Sequence, residues 1–258
     1  MEHRTALAAR IALVAVLAVS VVFGATHGFG LFDRHVDVLL IGDSIMSQSG
    51  PFVADPLESA PGVGGVKVQV EATPGTGLLT PALMDWQARA EELIEQYRPR
   101  IVVVLFVGNY TDQPDQQWPD GAGRPIPNDY GPAFFAAWRD QADVLTRSLA
   151  RYGAEVDWVL PPPMLSAEAR RRADGLQAAY EDVARGNPGV TLIDARPALG
   201  GPDGAFVWER PNVDGIVATV RTGDSLHLTA DGGHLLARQM VATVAPQLVD
   251  LRQRERRS

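Results

Sequence analysis

From Val36 onward the chain alternates between short, continuously apolar runs and longer segments in which apolar residues recur every three or four positions. The short runs are VDVLLI at Val36, VKVQV at Val66, RIVVVLFV at Arg100, AEVDWVL at Ala154 and VTLID at Val190. Most lack the apolar–polar alternation of a half-exposed strand, so they predict strands covered on both faces. PALMDWQARAEELIEQYRP opens on Pro81, closes at Pro99 and places Leu83, Trp86, Ala90, Leu93, Ile94 and Tyr97 on one helical face. GPAFFAAWRDQADVLTRSLARYG ends on Gly153, a suitable residue just past a helix end. A third helical segment runs from a capping Ser166 to Gly186, and a fourth begins near Thr229. Five strands interleaved with helices predict a doubly wound α/β domain on a five-stranded parallel sheet.

Three stretches stand apart. Arg4 and Arg10 precede IALVAVLAVSVVFGA, and low polarity persists to Phe32. A basic start before such a run reads as an uncleaved signal-anchor or a signal peptide cut after Gly24 or Ala25. Residues 11–32 are about long enough to span a bilayer as a transmembrane helix, and the positive charges place the following body outside the cytoplasm. Gly108–Pro132, with Tyr110, Trp118 and Tyr130, and Pro197–Gly223 read as long loops. The first leaves the carboxyl end of a strand, where open parallel sheets bind ligands. The organisation is therefore an export segment (1–35), one domain (36–250) and an Arg-rich tail (251–258) expected to be frayed and solvated.

Charge narrows the partners. The chain carries 23 basic and 31 acidic residues, but seven arginines and four acids lie outside Val36–Val249, leaving 16 basic residues against 27 acidic and a net charge of −11. Such a body repels a phosphate backbone, so nucleic acid is not an expected partner. With no cysteine there is no disulfide, thiolate metal site or nucleophilic thiol.

The break after VLLI, Gly42-Asp43-Ser44, falls at the carboxyl end of the first strand. Asp43 or Ser44 can cap the next helix; Ser44 can also act as a nucleophile if a base and an orienting carboxylate reach it. His227 and His234 are the histidines within the domain's later sequence, in TGDSLHLTADGGHLLA. Asp224, three residues before His227 in a turn-like stretch, can hold one imidazole nitrogen while the other faces a hydroxyl. His234 reads as a packing or surface residue, and Asp194 as a cap or turn residue. EATPGTGLL after the second strand and FVGNYTD after the third bring Gly75 and Asn109 to the same end of the sheet, where a bare N–H and a carboxamide could hold an oxyanion.

These blocks, in this order, resemble the SGNH/GDSL hydrolases, whose members are flavodoxin-like esterases, lipases and O-acyl hydrolases with a three-layer αβα fold. LLIGDS is similar to the first block, implying that Ser44 is the nucleophile and that its N–H serves the oxyanion. TPGTG is similar to the second, implying the same role for Gly75, with Gly77 as the alternative; VGNYTD is similar to the third, implying it for Asn109. DSLHLTADGGHLLA is the nearest match and implies Asp224 and His227. Two blocks depart from the pattern: Ala72 and Thr73 stand where an Asn precedes the Gly, and Gly108-Asn109-Tyr110 shifts the Gly and replaces an Asp. No G-x-S-x-G is present, which excludes the other common serine-hydrolase elbow. The expectation is an exported serine esterase with a Ser44–His227–Asp224 triad, an oxyanion hole from Ser44, Gly75 and Asn109, no metal or cofactor, and a small-molecule, glycan or lipid ester as substrate. An O-acetyltransferase of envelope glycans and a silent binding module are the alternatives.

Overall fold

A computed structural model of the chain describes residues 35–257; the predicted export segment lies outside the described residues. All five expected strands form: β1 (Val38–Gly42), β2 (Val68–Ala72), β3 (Ile101–Leu105), β4 (Glu155–Val159) and β5 (Val190–Ile193). They pair in the order β2-β1-β3-β4-β5, every pair parallel, with Val38 opposite both Val68 and Ile101. This is the flavodoxin-like order, and its switch point lies between β1 and β3. The apolar runs are continuous because both faces are covered. Leu39, Ile41, Val102 and Val104 point into one core layer, and Val38, Leu40, Ile101 and Val103 into the other.

Seven helices are described: α1 (Ser44–Ser49), α2 (Ala54–Glu58), α3 (Trp86–Tyr97), α4 (Pro132–Leu149), α5 (Ala167–Gly186), α6 (Arg196–Leu199) and α7 (Ala230–Glu255). The third, fourth and fifth cover one face, whereas α1, α6 and α7 pack on the other. Among the described residues no helix is long and apolar enough to cross a membrane.

Three expectations need correction. The first helix after β2 begins at Trp86, not Pro81, because Asp85 caps it by accepting from the N–H groups of Gln87 and Ala88. Residues 81–83 form turns instead, which leaves Leu83 56% exposed. Pro197–Gly223 is not bare loop, since α6 is followed by a hairpin of β6 (Glu209–Pro211) and β7 (Val217–Thr219). Its turn is set by Asn212, whose Oδ1 accepts from Asp214 and Ile216. Finally, helix α7 runs on through the first five residues assigned to the tail. There Arg252 pairs with Asp37, Arg254 with Glu155 and Glu255 with Arg100.

The loop 108–132 is long but fastened. Tyr110 donates to the Ile126 carbonyl and accepts from the Trp118 N–H, while the Tyr110 and Tyr130 rings meet Phe134 edge-on.

Candidate active site

Gly42 ends β1, and Asp43, not Ser44, is the N-cap of α1, its Oδ1 accepting from the Ile45 N–H at 3.0 Å. Ser44 is thereby the first helical residue, at the carboxyl end of the strand beside the switch point. Its own N–H has no acceptor among the described residues.

The partner arrives from 183 positions away. His227 Nε2 lies 2.9 Å from Ser44 Oγ, and His227 Nδ1 lies 2.6 Å from Asp224 Oδ2. The pairing assigns the tautomer: Nδ1–H donates to the carboxylate and Nε2 accepts from the serine hydroxyl. Two glycines permit this approach. A Cβ on Gly232 would stand 2.2 Å from the Val220 carbonyl oxygen, and one on Gly233 would stand 2.2 Å from that of Gln48. Only bare backbone lets the start of α7 settle so closely on α1. Gln48 then completes the seam, its side-chain carbonyl accepting from the Leu228 N–H at 2.9 Å.

Asp224 is held as firmly as the imidazole. Its Oδ1 accepts from the N–H groups of Leu226 and His227 and from the Thr222 hydroxyl. Ser225 adopts φ 62° between them, a left-handed conformation that a serine rarely takes and that fits both N–H groups to one oxygen. Partial burial raises the Asp224 pKa, but the hydrogen bonds from His227, Leu226 and Thr222 outweigh it and hold the carboxyl far below the usual carboxylate range. It is ionised whenever the imidazole accepts a proton.

Behind this loop sits Arg221, 1% exposed and without a carboxylate partner among the described residues. It donates to the carbonyls of Leu226 and Pro163, and burial pushes its pKa down to about 10. The guanidinium ties the Asp224–His227 loop to the segment after β4. No periodicity in the sequence marks it.

The oxyanion candidates sort unequally. Gly77 is structural: its N–H donates to Thr80 Oγ1, and a Cβ there would stand 2.1 Å from the Asn109 carbonyl oxygen. Gly75 has φ 77°, is exposed, and its N–H has no acceptor among the described residues. Of the two, Gly77 has its N–H engaged and Gly75 does not, among the described residues. Asn109 lies in the same crevice, yet its amide does not stand free. Nδ2 donates to Asp43 Oδ2 at 3.2 Å and to the Thr76 carbonyl at 3.1 Å. The expected carboxamide is thus present but engaged, because the nearest acceptors belong to the protein.

Asp43 emerges as a hub that its reading as a cap understated. Fully buried, it takes Ile45 on one oxygen and Val107 and Asn109 on the other, joining the ends of β1 and β3. Burial pushes its pKa up to about 6, against the lowering effect of the Val107 and Ile45 N–H groups and the His227 and Arg172 charges. His234 stacks on Phe52 at 3.8 Å, and Asp194 accepts from the Arg196 N–H, so both fill the packing and turn roles expected of them.

Residues 37–243 match the family described as Protein of unknown function (DUF459). The chain belongs to the DUF459 family. Solved structures add the fold. An acetylxylan esterase from Geobacillus stearothermophilus, solved as a catalytic mutant, is 15% identical with a TM-score of 0.57, over 81% of this chain and 94% of that one. The psychrotrophic esterase EstA from Pseudoalteromonas sp. is 13% identical with a TM-score of 0.55, over 82% and 98%. A GDSL-like lipase from Bacteroides thetaiotaomicron is 13% identical with a TM-score of 0.52, over 84% and 91%. This DUF459 domain has the SGNH/GDSL hydrolase fold. No curated protein matches the sequence.

Proposed function

We propose that this DUF459 protein is a serine hydrolase of carboxylic esters. The observation that carries the reading is the relay in which Ser44 Oγ, His227 and Asp224 are joined at 2.9 and 2.6 Å. The named esterases that share the fold support it.

Ser44 Oγ attacks the ester carbonyl carbon while its proton passes to His227 Nε2. Asp224 stabilises the imidazolium through Nδ1–H. The carbonyl oxygen, now an oxyanion, takes the unclaimed N–H groups of Ser44 and Gly75. It also takes the Asn109 amide, which exchanges its Thr76 contact for the new acceptor. Collapse breaks the C–O bond to the alcohol, which leaves with the proton from Nε2. Water, deprotonated by the same nitrogen, then releases the acid and restores Ser44. None of these steps calls on a metal or an organic cofactor.

The basic start and the uncharged run of residues 11–25 support export of the domain, anchored or released. Turnover of a chromogenic acetate ester tests the chemistry. Ser44→Ala and His227→Ala are expected to lower kcat by about 10⁴-fold or more, as single losses from such a relay do. Near-normal rates in either variant would refute the assignment.

A further inference from the structure

Arg170, Arg171 and Arg172 form an unbroken run on α5, in a domain whose acids outnumber its bases. The ion pairs of the described residues include none of the three, although the neighbouring Arg185 and Arg196 are both paired. Arg172 is the member that turns toward the crevice. Its stem rests on Gly108, the residue before Asn109, with Cδ 3.4 Å from the position a Cβ would take there. Its guanidinium lies 5.1 Å from the centre of the Tyr130 ring, and Nη1 donates to the Tyr130 hydroxyl at 3.1 Å. Nε is buried without an acceptor among the described residues.

The cradle is rigid. Tyr130 is set at φ 49° and meets Phe134 edge-on at 5.0 Å. Asp43, the buried acid after β1, does not hydrogen-bond to the arginine; its oxygens accept from Ile45, Val107 and Asn109. Nη2 of Arg172 also has no acceptor among the described residues and, unlike Nε, is not closed off from the surface, so it is the edge of the guanidinium that a ligand can reach. Its planar fork suits a carboxylate or a phosphate.

We infer that Arg172, held between Tyr130 and Gly108, selects ester substrates that carry an anionic group, carboxylate or phosphate, over the carboxyl end of β3. The inference rests on the hydrolase reading and names the substrate class of that same site. A guanidinium in this position binds the ground state and the transition state alike, so its effect falls on KM more than on kcat.

The test uses acetate esters of one alcohol that bears, at a single position, a neutral carboxamide, a carboxylate or a phosphate monoester, together with the hemisuccinate of the carboxamide alcohol. At least one anionic ester is expected to exceed the neutral one about tenfold in kcat/KM, the size of one charge-assisted hydrogen bond. Which one does so tells carboxylate from phosphate. Arg172→Gln should erase the preference through KM, and Arg172→Lys should restore part of it. In the unmodified protein the preference should shrink as sodium chloride is raised, which decides the matter even if Arg172→Gln does not fold. Equal kcat/KM for all four esters, a preference that survives Arg172→Gln, or one indifferent to salt would overturn this inference alone. Failure to cleave any of them, with no fluorophosphonate adduct on Ser44, would overturn the hydrolase reading and this inference with it.

Discussion

The two ends of the sheet treat charge in opposite ways. At the amino end, Asp37 accepts from Arg100 at 2.6 Å, from Arg252 at 3.0 Å and from the Lys67 N–H at 2.9 Å. Arg100 also pairs with Glu255 at 2.8 Å, and Arg254 with Glu155. These pairs bind the starts of β1, β3 and β4 to the last turns of α7. At the carboxyl end, Asp43 is buried among neutral N–H groups, Arg221 hydrogen-bonds to carbonyls and not to a carboxylate, and the buried Nε of Arg172 has no acceptor among the described residues. Uncompensated groups cost stability, and those gathered at this end flank Ser44 and His227, where the proposed chemistry takes place.

If the division is right, substitutions at the two ends should separate activity from stability. The largest effect is expected from Asp224→Asn, which keeps the shape of the loop but loses the charge that steadies the imidazolium. Turnover of an acetate ester should fall by roughly 10³–10⁴-fold in a variant that still folds, its melting temperature lowered only by loss of the charge that the His227, Leu226 and Thr222 hydrogen bonds favour. Asn109→Ala should follow, with about a 10²-fold loss in kcat and little change in KM, as for one oxyanion donor. A loss confined to KM would instead make Asn109 a binding residue.

Asp37→Ala should do the reverse. Removing the acid leaves Arg252 facing carbonyls, and denaturant unfolding should register a loss of roughly 2–3 kcal/mol while kcat holds. Although burial raises the Asp37 pKa, the Lys67 N–H, Arg252 and Arg100 together hold it below 3.8. The stability it gives is therefore present above the unfolded-state pKa and lost as pH falls through the folded one.

A further effect on stability belongs to Asp157, buried in β4 with Oδ2 unpartnered and its pKa pushed up to about 7, chiefly by burial. Here the native state holds a proton that the unfolded chain has already released. Stability should decline as pH rises from about 4 to about 7, and Asp157→Asn should flatten that decline and raise the melting temperature at pH 8. A variant that melts lower at pH 8 would mean that the carboxylate is satisfied in a way these contacts do not describe.

Much of this was legible in the residues themselves. Strands such as VLLI and IVVVL are apolar at every position because both faces are buried, so pattern alone located the sheet. Ser44, Asp224 and His227 could be read because the chemistry needs those types, and because the short spacing from Asp224 to His227 is local. What escaped has no local signature. The hairpin strands, ERP and VAT, are three residues long, too short for a period to register. The start of α3 was decided by Asp85, an acid four residues after the more conspicuous Pro81. The seam between α1 and α7 rests on Gly233 and Gln48, whose importance lies in an approach across about 180 positions. Arg172 and Arg221 sit in no sequence pattern that sets them apart from other arginines, and the end of α7 reads as a tail because its partners, Asp37, Arg100 and Glu155, are distant in sequence.

The central claim is that Ser44 is activated by His227, and the most direct measurement is the intact mass of the protein after exposure to a fluorophosphonate. The account predicts one adduct per chain, mapped to Ser44, formed at least a hundredfold more slowly in His227→Ala. An unmodified mass, an adduct elsewhere, or equal rates in the two proteins would contradict it.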